Sequence, residues 1–322
     1  MFDPNDETLS KELIKIYLAI YARLRQWPSN RAQRNAVDTV LVPPATIDDE
    51  GLVRNLLENQ KRKYIVLQGA PGTGKARLAK RIPGDNDIVH FTQFHAETSY
   101  NDFVYGIIPD VDDNRTLKYS LHEGIFVKAI RDAQKTENRD KKIFLIIDEI
   151  NRANLSNVLG PSFYLFEPIM SDRAVDIEIC PGHNGLQALT LPKLPENLYV
   201  IATMNTADRS LAVVDFALRR RFAWYTLLPH SIEAEPGSKF WKEYFDDIAE
   251  IFERYAKDEE LNLQPGHAYF ITQTDDENEI KNRLEYEIMP LIKEYLMDGM
   301  LSRAKDEFVS YFRDKIHTEL FN

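Results

Sequence analysis

Residues 64–76 read Tyr-Ile-Val-Leu-Gln-Gly-Ala-Pro-Gly-Thr-Gly-Lys-Ala, and this stretch decides the fold. The apolar run Tyr64 to Leu67 reads as a buried strand of a parallel sheet. A glycine-rich turn follows, Gly69-Ala70-Pro71-Gly72-Thr73-Gly74-Lys75, and Arg77-Leu78-Ala79-Lys80-Arg81 can start a helix. Strand, glycine loop and helix in that order make a cradle for phosphate. The glycines let backbone N–H groups face the anion, the helix N-terminus adds positive potential, and Lys75 can reach the β- and γ-phosphates of a nucleoside triphosphate. The expected nucleotide contacts are Gly69, Ala70, Pro71, Gly72, Thr73, Gly74, Lys75, Ala76 and Arg77. The pattern G-x-x-x-x-G-K-[ST] fails only at its last position, where Ala76 replaces the hydroxyl that binds Mg²⁺. Mg²⁺ keeps several waters and relies on few protein ligands. Loss of one hydroxyl should therefore weaken hydrolysis more than nucleotide capture. Ala76 reads either as a natural departure or as an introduced change.

A second apolar run, Ile143 to Ile147, ends in Asp148 and Glu149. Ligands bind at the carboxyl ends of strands in open α/β sheets. Asp148 is placed there to hold Mg²⁺, directly or through water, and Glu149 to orient and deprotonate an attacking water. A third strand is expected over Leu198–Thr203, followed by Met204-Asn205-Thr206-Ala207-Asp208-Arg209-Ser210. Asn205 sits where an amide could position water against the γ-phosphate. Three consecutive arginines, Arg219, Arg220 and Arg221, precede a further strand. An arginine supplied across a subunit boundary can stabilise charge in phosphoryl transfer; the other reading is a surface cluster pairing with nearby acids.

Together these segments resemble the AAA+ superfamily and, within it, the McrB-like GTPase subunits of modification-dependent (type IV) restriction systems. The residues that carry the resemblance are Ile147 to Leu155 and the run Met204 to Ser210. Gln93-Phe94-His95, Tyr100 to Phe103 with Gly106, Gly124-Ile125-Phe126 and Gly266-His267-Ala268-Tyr269-Phe270 support it. The resemblance spans roughly residues 46 to 300 and implies a P-loop AAA+ module of α/β class, with a central parallel sheet followed by a small all-helical lid. It implies Lys75 as the Walker A lysine, Asp148 and Glu149 as the Walker B pair, and Asn205 at the sensor-1 position. It places Asp208 in a signature loop near the catalytic water, and Arg219 and Arg220 as trans-acting fingers. It further implies a homo-oligomeric ring, a hexamer in the family, and a McrC-like nuclease subunit that docks on the ring and stimulates hydrolysis. Two departures stand out besides Ala76. Gly160-Pro161 interrupts the helix expected after Asn154, and only about fifty residues precede the motor, so DNA recognition is expected to come from elsewhere.

The 322 residues suffice for about two domains, and 43% hydrophobic with 11% aromatic residues describes a globular chain. A formal net charge of −11 disfavours direct electrostatic binding of DNA by the chain as a whole. The single cysteine, Cys180, allows no intrachain disulfide and reads as a small apolar filler in a reducing compartment. No apolar run approaches a membrane span, and the start Met1-Phe2-Asp3-Pro4 lacks a signal core. A cytoplasmic location is expected.

Three regions are expected: a helical extension and linker over 1–45, a nucleotide-binding αβα domain over 46–229 and a helical lid over 230–322. Leu13, Tyr17, Ile20, Tyr21 and Leu24 have helical spacing over 9–26, and Val42-Pro43-Pro44-Ala45 is a linker. Thr46 followed by Asp49 resembles a helix cap, leading into a helix through Leu52, Leu56 and Leu57. Residues 109–118 read as an acidic loop, 181–197 as a loop or hairpin, and Asp275 to Glu279 as a solvated turn. Helical stripes run through 240–257 and, despite Pro290, through 281–297. His267 reads as structural rather than as a metal ligand. The expected function is a ring-forming GTPase or ATPase that uses Mg²⁺ and drives a nuclease partner against foreign DNA. The alternatives are a nucleotide-gated assembly subunit with little turnover, and a MoxR-like chaperone ATPase.

Overall fold

The computed structural model describes residues 48–111, 117–167, 176–182, 187–207 and 216–321. The expected N-terminal helix, the linker, Thr46 and Asp208 lie outside them. The first described helix, α1 (Asp49–Glu58), is capped by Asp48, whose carboxylate accepts the Gly51 N–H at 2.8 Å. Its buried line is Val53 and Leu57, four apart, and Leu52 faces outward.

The chain then alternates strands and helices. After β1 (Tyr64–Gly69) come α2 (Lys75–Arg81), β2 (Ile88–Gln93), α3 (Tyr100–Phe103), β3 (Tyr105–Val111) and β4 (Leu117–Glu123). Next are α4 (Ile125–Gln134), β5 (Ile143–Asp148), α5 (Leu155–Leu159), β6 (Ile177–Cys180), β7 (Leu189–Leu191), β8 (Leu198–Asn205), α6 (Phe216–Arg221) and β9 (Ala223–Thr226). Five strands make one parallel sheet in the order β2-β5-β8-β1-β9. Its central strands are mostly apolar because both faces are covered. Strand alternation divides β5 between two cores: Ile143, Leu145 and Ile147 pack with Phe94, Phe103, Phe126 and Phe166, while Phe144 and Ile146 pack with Leu57, Leu78 and Ile82. Cys180 is buried in the first of these, as a filler.

Residues 109–118 are not simply a loop. Residues 109–111 and 117–118 belong to an antiparallel ribbon in which β3 pairs β4 from Tyr105↔Glu123 to Val111↔Leu117. Pro109 is accommodated because a strand in a two-stranded ribbon has one unpaired edge. Strands β6 and β7 pair antiparallel, but β6 lies ahead of the 181–197 segment expected to hold a loop or hairpin, and only β7 falls within it. At Gly160 the backbone takes φ +49°, α5 stops, and a 3₁₀ turn continues to Phe166 with Pro161 in its first turn, where no donor is needed.

Beyond the sheet, β10 (Lys239–Phe240), α7 (Lys242–Tyr255), β11 (Ile271–Thr272), α8 (Glu277–Arg283), α9 (Met289–Met297) and α10 (Lys305–Ile316) enclose a separate core that includes Ile248, Phe252, Phe270, Leu284, Ile288 and Phe308. Between α8 and α9 the helix widens into a π turn, Leu284–Ile288, in which the Met289 N–H reaches the Leu284 carbonyl. This irregularity lets the helical path continue past Pro290, whose ring would clash in a regular helix interior. Asp275 to Glu279 is only partly a turn: Asp276 caps α8 by accepting the Asn278 N–H at 2.9 Å, and Glu277 and Glu279 lie in its first turn, where carboxylates favour the dipole. No described helix is long and apolar enough to cross a membrane.

Candidate nucleotide site

Parallel pairing aligns Gly69 with Asn205 and Gln93 with Asp148, so β1, β5 and β8 end at one edge of the sheet. The phosphate loop starts there. Gly72 and Gly74 take φ of +78° and +83°, a conformation that L side chains rarely adopt. Thr73 is buried and its hydroxyl donates to the Ala70 carbonyl at 2.9 Å, bracing the turn. Lys75 is also buried, and its Nζ donates to the carbonyls of Gly69 (2.9 Å) and Ala70 (2.7 Å). Burial pushes its pKa down to about 8, against the upward pull of Glu149 and Asp148. The Gly69 carbonyl also accepts the Thr206 N–H at 3.1 Å, which ties the end of β8 to the start of the loop.

The acidic couple is held by a residue that the sequence reading missed. Thr203, 2% exposed in β8, donates its hydroxyl hydrogen to Asp148 Oδ1 and accepts the Glu149 N–H at 3.1 Å. A hydroxyl within the apolar run of β8 was the available signal. Glu149 leaves the strand in a left-handed conformation, φ +54°, uncommon for a residue with a side chain. Its Oε2 is buried without a hydrogen bond, with Arg152 Nε 3.5 Å away. Asn151, also buried, donates to the Asn205 carbonyl at 3.3 Å. The Asn205 side-chain oxygen accepts the Ala207 N–H at 3.2 Å, an Asx turn that fixes its direction.

These residues fit a Mg²⁺ ion carried by nucleotide phosphates. Such an ion takes one or two carboxylates and otherwise waters and phosphate oxygens. Asp148 would be its protein ligand, and the orphaned Glu149 oxygen suits a nearby water. Ala76 has no oxygen to add. Among the described residues no group of three or more His, Cys, Asp or Glu converges as a metal cage.

The arginine triplet divides. Arg221 is buried, lies 3.9 Å from the Phe163 ring centroid and ion-pairs with Glu167. Arg220 bonds the same Glu167 oxygen at 2.8 Å from a mostly exposed position. The exposed Arg219 lies over the Trp224 ring at 5.3 Å, and the Trp224 indole N–H donates to the Arg219 carbonyl. Acid pairing thus describes Arg220 and Arg221. Arg77 is exposed and forms an ion pair with Glu235.

The helical part closes on the loop from behind. Gly266 N–H donates to the Pro71 carbonyl at 2.8 Å and Ala268 N–H to the Gly72 carbonyl at 3.0 Å. The two backbones are so close that a Cβ on Gly266 would lie 2.1 Å from the Gly72 carbonyl carbon. Tyr269 covers Gly72, and the His267 ring abuts Gly74. His267 packs on His230 with centroids 5.0 Å apart; burial first, then the neighbouring His230 and Arg77, pull its pKa down to about 4, so it is neutral at pH 7. Its place beside the phosphate loop was not foreseen.

An open parallel sheet with a phosphate loop after one strand, an acidic couple at the end of another and a helical lid on that loop defines a nucleotide-binding module of the AAA class. Residues 64–222 match the family described as AAA domain (dynein-related subfamily), and residues 246–304 match McrB, alpha-helical lid domain. The chain is 31% identical over 296 residues to the Type IV methyl-directed restriction enzyme EcoKMcrB subunit of Escherichia coli (strain K12), across 84% of this chain and 61% of that protein. It is 30% identical over 266 residues to the Type II restriction enzyme BsuMI component YdiS of Bacillus subtilis (strain 168), across 69% of this chain and 76% of that protein. The chain belongs to the McrB-like family of AAA restriction subunits. It spans 61% of the length of the first of these relatives.

Proposed function

We propose that this chain is a nucleoside triphosphatase motor subunit that takes GTP or ATP with Mg²⁺. In this reading it assembles into a homo-oligomeric ring, a hexamer, and works in the cytoplasm with a McrC-like nuclease subunit to restrict foreign DNA. Contact with DNA runs mainly through that assembly, in keeping with the net charge of −11. The extension, nucleotide-binding domain and lid occupy 1–45, 46–229 and 230–322. The observation that carries the reading is the meeting of Lys75 and the end of β8 on one carbonyl, that of Gly69, with the acidic couple pinned alongside by Thr203.

In this reading each residue has a role. Lys75 and the loop amides hold the phosphates, with Ala76 and Arg77 beginning the helix beneath them. Asp148 holds the ion, Glu149 takes the proton of the attacking water, and Asn205 with Asp208 orients that water. Arg219, on the helix before edge strand β9, reaches toward a neighbouring subunit, with Arg220 beside it. Ala76 favours a second reading, a subunit that binds triphosphate and assembles but turns over slowly. The test is phosphate release from the purified full chain, with and without a nuclease subunit, beside the Ala76→Thr variant. Restoring the hydroxyl should raise turnover about tenfold or more, the scale of one good metal contact, with little change in nucleotide affinity. Unchanged turnover in that variant would count against the metal-ligand argument. Wild-type turnover equal to background, even with the nuclease subunit, would leave the assembly reading.

A further inference from the structure

The hold of the lid on the phosphate loop is made of backbone hydrogen bonds, and one lid side chain keeps that backbone in place. When the loop amides face a phosphate, the carbonyls of Pro71 and Gly72 must point elsewhere, because each peptide plane carries N–H and C=O on opposite sides. Those two carbonyls are the ones that accept the Gly266 and Ala268 N–H groups. The Ala268 carbonyl in turn accepts Arg283 Nη1 at 3.2 Å, and the same nitrogen donates to the Ile271 carbonyl. Glu287 holds the other edge of the guanidinium, at 3.0 Å to Nε and 2.7 Å to Nη2. Arg283 closes α8 at the start of the π turn, and Glu287 lies within that turn. Of its four donor contacts, one holds the Gly266–Tyr269 turn at Ala268, one holds the following Ile271 carbonyl, and two to the Glu287 carboxylate fix the guanidinium plane.

We propose that Arg283 is a positioning residue for nucleotide binding: it fixes the turn that carries the phosphate-loop carbonyls, so the lid responds to bound phosphate through the loop backbone. Bound phosphate orders the loop, the ordered carbonyls tighten the turn, and the turn is relayed to α8 through Arg283. Lysine cannot reproduce the link, because an ammonium lacks the planar fork that spans two carbonyls and a carboxylate. The proposal rests on the reading of this loop as a triphosphate site.

Titration of the full chain with fluorescent GTP and ATP analogues, well below its melting temperature, tests it. Backbone hydrogen exchange over residues 266–269 is followed with and without the analogue, and Lys75→Ala reports on the loop. Arg283→Ala should weaken triphosphate binding about tenfold, the scale of losing hydrogen bonds from a charged donor, and Arg283→Lys should recover only part of it. Triphosphate should slow exchange at Gly266 and Ala268 in the wild type and leave it unchanged in Arg283→Ala. A merely structural arginine would raise exchange in both conditions but keep the nucleotide-dependent slowing. Wild-type binding with Arg283→Ala within twofold of it, or with the slowing retained, overturns the proposal. If Arg283→Ala does not fold, Glu287→Gln decides: it should weaken binding about threefold and reduce the slowing, and wild-type behaviour of both overturns the proposal. A wild type that binds neither analogue overturns the nucleotide reading and this proposal together.

Discussion

The sheet and the lid hold the same loop by different means. On the sheet side, side chains do the holding: Thr203 bridges Asp148 and the Glu149 N–H, Lys75 is anchored on two carbonyls, and strand register sets where each element ends. On the lid side the hydrogen bonds run backbone to backbone, with the Tyr269 and His267 rings laid against Gly72 and Gly74, and the close approach needs a glycine at 266. The sheet contacts sit in a core closed on both faces, so they suit groups whose geometry must stay fixed during chemistry. The lid contacts are few and lie at the junction of two separate hydrophobic cores, so they suit a part that moves against the first.

Three substitutions break or sharpen this contrast. The largest effect is expected from Thr203→Val. Valine keeps the strand and its volume but releases Asp148 and leaves the Glu149 N–H without its acceptor. Turnover should fall about tenfold to a hundredfold with triphosphate affinity nearly intact, as steady-state phosphate release and nucleotide titration would show. An equal loss in affinity would mean that the sheet side also holds the loop itself. Gly266→Ala comes next. Its methyl would overlap Gly72 and Thr73, so triphosphate affinity should drop about tenfold, in line with the cost of separating two backbone hydrogen bonds, while melting of the sheet core stays nearly unchanged. Affinity equal to wild type would show that the lid is not part of the site.

The smallest effect appears only in acid. His267 has its folded pKa lowered from 6.5 to about 4 by burial. Below pH 6.5 the unfolded chain takes up a proton that the folded chain refuses, so stability is complete above that value and declines as pH falls toward 4. The loss should reach on the order of 2 kcal/mol by pH 5. Thermal melts from pH 7 to pH 5 should therefore show a steeper decline for the wild type than for His267→Gln. Parallel declines would place His267 in water rather than against the loop.

What could be read from the residues follows the same division. Strands β1 and β5 were legible because continuous apolar runs ending in Gly69 or in Asp148-Glu149 have few other uses. The loop was legible because its lysine and glycines are identity-specific. The β3–β4 ribbon was not, since Pro109 and the acids after it read as loop, and neither gives a strand signal. The cap of α1 was assigned to Thr46 when Asp48 makes the bond. The arginines looked alike as letters, and only their neighbours Phe163, Glu167 and Trp224 tell them apart. The lid contact was legible only as the run Gly266 to Phe270, and its place against the loop was not, because hydrogen bonds between main chains carry no side-chain signature beyond Gly266.

The left-handed backbone at Glu149 has a consequence for anyone improving this protein. A residue with a Cβ held there sacrifices about 1–3 kcal/mol, and asparagine or glycine would sit more comfortably. A search for heat-resistant variants would favour those replacements and discard the carboxylate with them. If Glu149 is the base proposed above, position 149 is where a screen scored on melting alone would harvest inert molecules.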